Sequence, residues 1–287
     1  MSTRSIFGQL VRANLAVCAA SLLTAASSNA AVVNTALTFS DMTLSPASGV
    51  WSDGGGNNIG MSRLNIGNTS PAPVQSALTA VTNFIPGTNF SVTGSFSVAT
   101  NENGSSGTTT NRQSTFAVTL FGDTANNEIG VFASLNIYEN RGSYDGGQRL
   151  GVGTNVPRAS LNYVGNFAGN GDATTGETFL TGANLNLADG ATPTYTFTIS
   201  VSYDTATQVD ISFLLSDGTN SNTLSIADAD ITGLQTNNVF GVITSQRNRS
   251  LAGTFSNITV NQIPEPASLV LAGLGGLMMF GRRRRSA

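Results

Sequence analysis

The chain has no histidine, no lysine and a single cysteine, Cys18. Each absence removes chemistry. Without His or Lys, and with no thiol after residue 18, the chain has no His-assisted Ser or Cys nucleophile, no Cys/His zinc site, no His-ligated haem and no Schiff-base lysine. It also forms no disulfide, so an exported form must rest on its core and on any bound ions. Charge is scarce as well: only 10 % of residues are Asp, Glu, Lys or Arg, against about 25 % in an average globular chain.

What is present is 40 % hydrophobic residues, 32 glycines and abundant Ser, Thr and Asn. Such a chain builds a core and covers it with small uncharged polar side chains, as suits strands joined by turns. Residues 31–262 carry seven Arg against fifteen acids, a net charge of −8. A nucleic-acid backbone calls for a basic stripe that this body lacks, so nucleic acid is not an expected partner. Neutral or calcium-bridged extracellular polysaccharide is compatible with mild acidity.

The two ends carry the most specific signals. Residues 1–30 show Arg4 and Arg12, then an apolar run over 15–23, then small residues ending at Ala30. That is the three-part layout of a secretory signal peptide, and it places cleavage between Ala30 and Ala31. The run is about half the 20 residues that span a bilayer. Cys18 lies inside it behind Val17, so a lipid-attachment reading fails and the mature chain is cysteine-free.

At the other end stand Pro264, Glu265 and Pro266, an uncharged apolar segment over 267–280, and then Arg282, Arg283, Arg284 and Arg285. Two prolines around one glutamate make a stiff extended segment. As a helix, 267–280 would extend about 21 Å across a hydrocarbon core of about 30 Å. The four arginines would hold that end on the cytoplasmic side and snorkel to offset the mismatch. These residues resemble the PEP-CTERM family of bacterial sorting signals. The resemblance implies an exosortase-type processing enzyme as partner, with Pro264, Glu265 and Pro266 as recognition motif and Arg282–Arg285 as retention signal. It also implies a transient inner-membrane anchor, and a setting of exopolysaccharide or biofilm.

Between the ends, alternation of period two dominates. Tyr195, Phe197, Ile199, Val201 and Tyr203 interleave with Thr and Ser, and after residues 204–207 the pattern resumes at Val209, Ile211, Phe213 and Leu215. This predicts an antiparallel hairpin. Further strands are predicted over 90–98, 116–120 and 129–137, and weaker ones near 37–42, 158–164, 223–226, 239–244 and 254–260. Residues 101–112 and 122–127 read as loops. About ten strands with one apolar face each require an all-β, two-sheet antiparallel sandwich. The hairpin over 194–215, Phe240-Gly241-Val242 and Phe255-Ser256-Asn257-Ile258-Thr259-Val260 resemble, in their order, the concanavalin-like (laminin G-like) jelly rolls; an immunoglobulin-like sandwich is the alternative. The expected organisation is a signal peptide over 1–30, a sandwich over 31–262 and a sorting signal over 263–287.

Polysaccharide hydrolases on that fold pair two Glu on one face of a strand. Here Glu128 is followed on its own face by Gly130, Phe132 and Ser134, and Glu139 lies an odd eleven residues away. A glycosidase needs two converging carboxyl groups, so no catalytic residue is assigned and the body is expected not to be an enzyme. Sugar contacts are sought instead at Trp51, beside a Gly-rich loop, and at Tyr144 and Asp145, in a polar loop, although a lone Trp is more often a core residue than a sugar platform. Asp217, Asp228 and Asp230 lie in oxygen-rich turns that could supply calcium ligands, although Asp is also an ordinary turn residue.

Overall fold

The computed structural model describes residues 33–45, 50–62, 74–99, 112–126, 129–140, 143–153, 178–180, 193–247 and 252–262. Both terminal signals, Ala30, Ala31, Glu128 and the strand predicted over 158–164 lie outside the described residues. Among the described residues no helix is long and apolar enough to cross a membrane.

In chain order the strands are β1 (Val33–Ala36), β2 (Thr43–Ser45), β3 (Trp51–Asp53), β4 (Asn58–Met61), β5 (Val74–Ala80), β6 (Phe90–Ala99), β7 (Arg112–Gly122) and β8 (Gly130–Asn140). They continue as β9 (Ser143–Gly153), β10 (Thr178–Leu180), β11 (Thr194–Tyr203), β12 (Gln208–Ser216), β13 (Ser221–Asp230), β14 (Val239–Arg247) and β15 (Ala252–Gln262). One eight-stranded sheet has the order β13-β12-β11-β6-β15-β4-β3, with β1 on the free stretch of β15; the other, seven-stranded, runs β10-β9-β8-β7-β14-β5-β2. All pairings are antiparallel. The chain passes repeatedly between sheets, from β5 to β6 to β7, from β10 to β11, and from β13 through β14 to β15. The first and last strands thereby lie side by side, with Val33 opposite Gln262. This is the two-sheet antiparallel sandwich, wound as a jelly roll, that alternation demands.

Two aromatic groups join the sheets. Phe84, Phe90, Phe121 and Phe240 meet edge to face or tilted at centroid distances of 5.0 to 6.3 Å. Phe96 of one sheet packs against Phe116 of the other at 4.6 Å and against Phe255 at 4.7 Å. Each fully buried Phe contributes about 2–3 kcal/mol. In β7 and β8 both faces are buried: Ala117 and Phe132 pack with Ile243 in a small cluster apart from the main core.

Among the described residues, the non-glycine positions with left-handed backbone, Phe121, Asp228 and Asn257, each sit where a strand register slips by one residue. An extra residue in a ladder bends the strand and redirects its side chains. At Phe121 it turns two consecutive residues, Leu120 and Phe121, into the core. At Asn257 it restores Ile258 and Val260 to the inner face after Phe255.

One predicted strand is displaced. Leu37 still donates its N–H to the Ile258 carbonyl of β15 at 2.8 Å, but residues 38–42 do not pair in a sheet; Phe39–Asp41 form a 3-10 turn between β1 and β2. The Thr38 hydroxyl bonds to the Asp41 carboxylate, a local bond that competes with strand pairing.

Candidate functional site

The β11–β12 hairpin turns through residues 204–207. Asp204 donates its backbone N–H to the Gln208 carbonyl at 3.0 Å, and the Thr205 hydroxyl accepts the N–H groups of Thr207 and Gln208. This tight turn holds Asp204 near Asp210, which stands opposite Ser202 in the register. The β13 bulge supplies a third acid: Asp228, in left-handed conformation, donates its N–H to Asp210 Oδ1 at 3.0 Å. Asp204, Asp210 and Asp228 each offer a carboxylate oxygen within 4.8 Å of the others, and all three are exposed. Partial loss of water around it, and then the Asp210 carboxylate, push the Asp204 carboxyl above its ordinary range. Hard oxygen ligands of one sign suit a divalent cation such as calcium, which takes six to eight oxygens and fills the remainder with water.

Of the predicted calcium ligands, only Asp228 belongs to this group. Asp217 closes the β12–β13 turn, accepting the N–H groups of Thr219 at 2.8 Å and Asn220 at 2.6 Å. These bonds lower its pKa, that of Asn220 most. It lies at the opposite end of β12 from Asp210, about 24 Å along the strand. Asp230 bonds to Thr232, accepting its N–H at 2.8 Å, and its pKa is likewise lowered. Both are satisfied turn carboxylates. Asp204 and Asp210 went unassigned in the sequence; they flank one turn, but the bulge that delivers Asp228 was the missing link.

The predicted sugar contacts separate too. Trp51 is 8 % exposed and belongs to the core, opposite Met61, so its ring offers no open stacking face. Its Nε1 has no hydrogen-bond partner. Tyr144 and Asp145 stand on β9 rather than in a loop, opposite Glu139 and Tyr138 of β8. Pairing runs up to Asn140 and Ser143, which leaves only two residues for the connection. Their side chains are outside the described set.

At the end of the body, Gln262 is fully buried. Its amide donates to the carbonyls of Ile85 at 2.6 Å and Thr88 at 3.2 Å, and accepts the Ile85 N–H at 2.8 Å.

Residues 262–285 match the PEP-CTERM protein-sorting motif, so the chain carries that sorting signal from the last residue of β15 onward. No curated protein matches the chain. Among solved structures it is similar to the Lotus tetragonolobus seed lectin, with 12 % identity, 80 % of this chain and 97 % of that chain covered, and a TM-score of 0.42. It is also similar to a lectin from Bauhinia forficata in complex with GalNAc, with 11 % identity, coverages of 82 % and 98 %, and a TM-score of 0.41. A third is scytalido-glutamic peptidase with a transition state analog inhibitor, at 11 % identity, 67 % and 81 % coverage and a TM-score of 0.34.

Proposed function

We propose that the chain is an exported bacterial surface or matrix protein whose sandwich acts as a non-catalytic structural or adhesive module on extracellular polysaccharide. The sorting motif over 262–285 carries this reading. A signal peptide ending at Ala30 directs export. The C-terminal segment then holds the protein transiently in the inner membrane, with Arg282–Arg285 on the cytoplasmic side, until an exosortase-type enzyme recognises Pro264, Glu265 and Pro266. The composition supports a non-catalytic role, since His, Lys and, in the mature chain, Cys are missing, and Glu128 and Glu139, at an odd spacing, do not share a strand face. Calcium is the cofactor that the Asp204–Asp210–Asp228 group favours, bound as a structural ion.

The test is the intact mass of the chain recovered from membrane and extracellular fractions of a producing cell. The expected extracellular species lacks residues 1–30 and everything from near Pro264. A variant with Ala at 264, 265 and 266 should stay in the membrane at its uncleaved C-terminal mass. Recovery of the wild type only as a membrane form ending at Ala287 would overturn the sorting reading. Release of reducing or unsaturated ends from a polysaccharide panel would overturn the non-catalytic one.

A further inference from the structure

Both ends of the body meet at one pole of the sandwich. β1 starts with Val33 opposite Gln262, the last residue of β15, and Gln262 also stands opposite Phe90 at the start of β6. The next strand, β11, pairs Val201 with Phe90 and ends at Tyr203, whose N–H donates to Asn89 Oδ1 at 2.8 Å. The connection over 81–89 and the hairpin turn over 204–207 therefore stand at this same pole. The turn over 217–220 stands at the other, with β12 separating the two turns by about 27 Å.

At the first pole the connection over 81–89 forms an apolar knuckle. Phe84 is buried against Phe90, but the next residues turn outward. Ile85 is 45 % exposed, the most open large apolar side chain among the described residues, and Pro86 and Gly87 are exposed beside it. The buried Gln262 amide holds the Ile85 backbone in both directions, so the knuckle is fixed to the point where the chain leaves the body. From there the sequence leaves only Ile263–Pro266 before the apolar segment 267–280, a reach of at most about 14 Å.

We infer that this pole is the surface that the anchored protein lays against the bilayer, with Ile85 and Pro86 meeting the lipid headgroups. The inference rests on the C-terminal anchor proposed above and adds which side of the body faces the membrane. A body tethered this closely by one pole either stands on that pole or lies on its side, and the exposed Ile85 at the tether favours the first. A contact too weak to hold a free protein suffices, because the tether keeps its local concentration high. Charge does not draw the pole down. Residues 81–89, 204–207 and 231–238 contain no Arg, and the acids of the hairpin tip lie on β11–β13, with β12 two strand spacings, about 10 Å, from β6. The contact is therefore expected on zwitterionic lipid. The turn over 217–220 is left facing away from the membrane.

The form from Ala31 through Ala287 is cysteine-free, so single cysteines report cleanly. Ala206→Cys and Thr219→Cys, both at exposed turn positions, each carry a small fluorophore in phosphatidylcholine vesicles that contain a nitroxide-headgroup lipid. Quenching at least threefold stronger at 206 than at 219 is expected. Adding Ile85→Ser should reduce the quenching at 206 at least twofold at unchanged thermal unfolding. Leu214→Ser, at the other exposed large apolar side chain among the described residues, should leave it unchanged. Equal quenching at the two positions, or stronger quenching at 219, in protein that floats with the vesicles overturns the inference and leaves the anchor intact. Protein that does not float with the vesicles overturns the anchor as well. Quenching at 206 that is indifferent to Ile85→Ser overturns the lipid contact.

Discussion

The side-chain amide of Gln262 closes on the backbone of Ile85 in both directions, donating to its carbonyl at 2.6 Å and accepting its N–H at 2.8 Å. A third bond reaches the Thr88 carbonyl. The last residue of β15 thereby pins the connection between β5 and β6, directly ahead of Pro264. Gln262→Ala should cost about 2 kcal/mol, since buried bonds are lost and their partners left unpaired. Gln262→Glu keeps the shape but sets an acceptor-only carboxylate against two carbonyls. It should therefore be less stable at pH 7 than at pH 4, relative to wild type. Denaturant unfolding of the three proteins at the two pH values checks both expectations; a neutral Gln262→Ala would show that the clamp contributes nothing.

The tilted contact between Phe96 and Phe116 joins the two sheets, and Phe255 backs Phe96 within its own sheet. Phe96→Ala leaves a cavity bounded by both sheets, which relaxes poorly. A loss of about 3–5 kcal/mol is expected in equilibrium unfolding, with Phe96→Leu losing less. Nearly equal stability of the Ala and Leu variants would mean that the cavity closes by local rearrangement.

Tyr195 gives the pH dependence its alkaline limb. Burial, and secondarily the Asp217 charge, raise its pKa from 10.0 to about 12. The folded state therefore holds this proton more tightly than the unfolded chain does. Stability is fully present below pH 10 and falls as pH rises through 10 to about 12. The phenolate absorbance of the folded protein should include a step near pH 12 that disappears in Tyr195→Phe, whereas the contribution of Tyr203, whose pKa burial also raises, persists. The variant should also lose less stability across that window. Titration of Tyr195 at its ordinary value of 10.0 would contradict its burial.

The hairpin over 194–215 was legible because one strict alternation fixes both its inner face and its register. The register slips at Phe121, Asp228 and Asn257 also leave traces in sequence. Apolar positions shift phase at Leu120-Phe121, between Ile226 and Ala229, and between Phe255 and Ile258. Such a shift cannot by itself be told from a strand ending, which is why a bulge that gathers three acids was not foreseen. In β7 and β8 burial on both faces blurs alternation into continuous apolar runs. Trp51 was left open between core and sugar contact for a different reason: a Gly-rich neighbour suggests a loop, whereas pairing of Trp51 with Met61 turns the ring inward. At the C-terminus the reverse holds, because Pro-Glu-Pro, apolar segment and Arg cluster are recognisable as order along the chain and need no fold.

Three like charges at the hairpin tip should make stability sensitive to cations. The carboxyl of Asp204, partly stripped of water and crowded by Asp210 and Asp228, has a raised pKa. The folded state therefore favours its protonated form, and the ionised form works against folding as pH rises above the ordinary carboxylate value. At neutral pH and low salt, Asp204→Asn should raise Tm by about 1–2 °C, a surface-sized effect. The gain should shrink in 0.5 M salt, about where screening reaches within 5 Å. Calcium at millimolar concentration should raise the Tm of the wild type and not that of Asp204→Asn/Asp228→Asn, with magnesium less effective because it gives up its waters reluctantly. Asp217→Asn is the control, since it removes a carboxylate from the far turn; its own cost should be the same with and without calcium. A calcium response that follows Asp217 instead would move the ion to the β12–β13 turn. Equal responses in all variants would leave the triad as solvated charge, with the sandwich stabilised by its core alone.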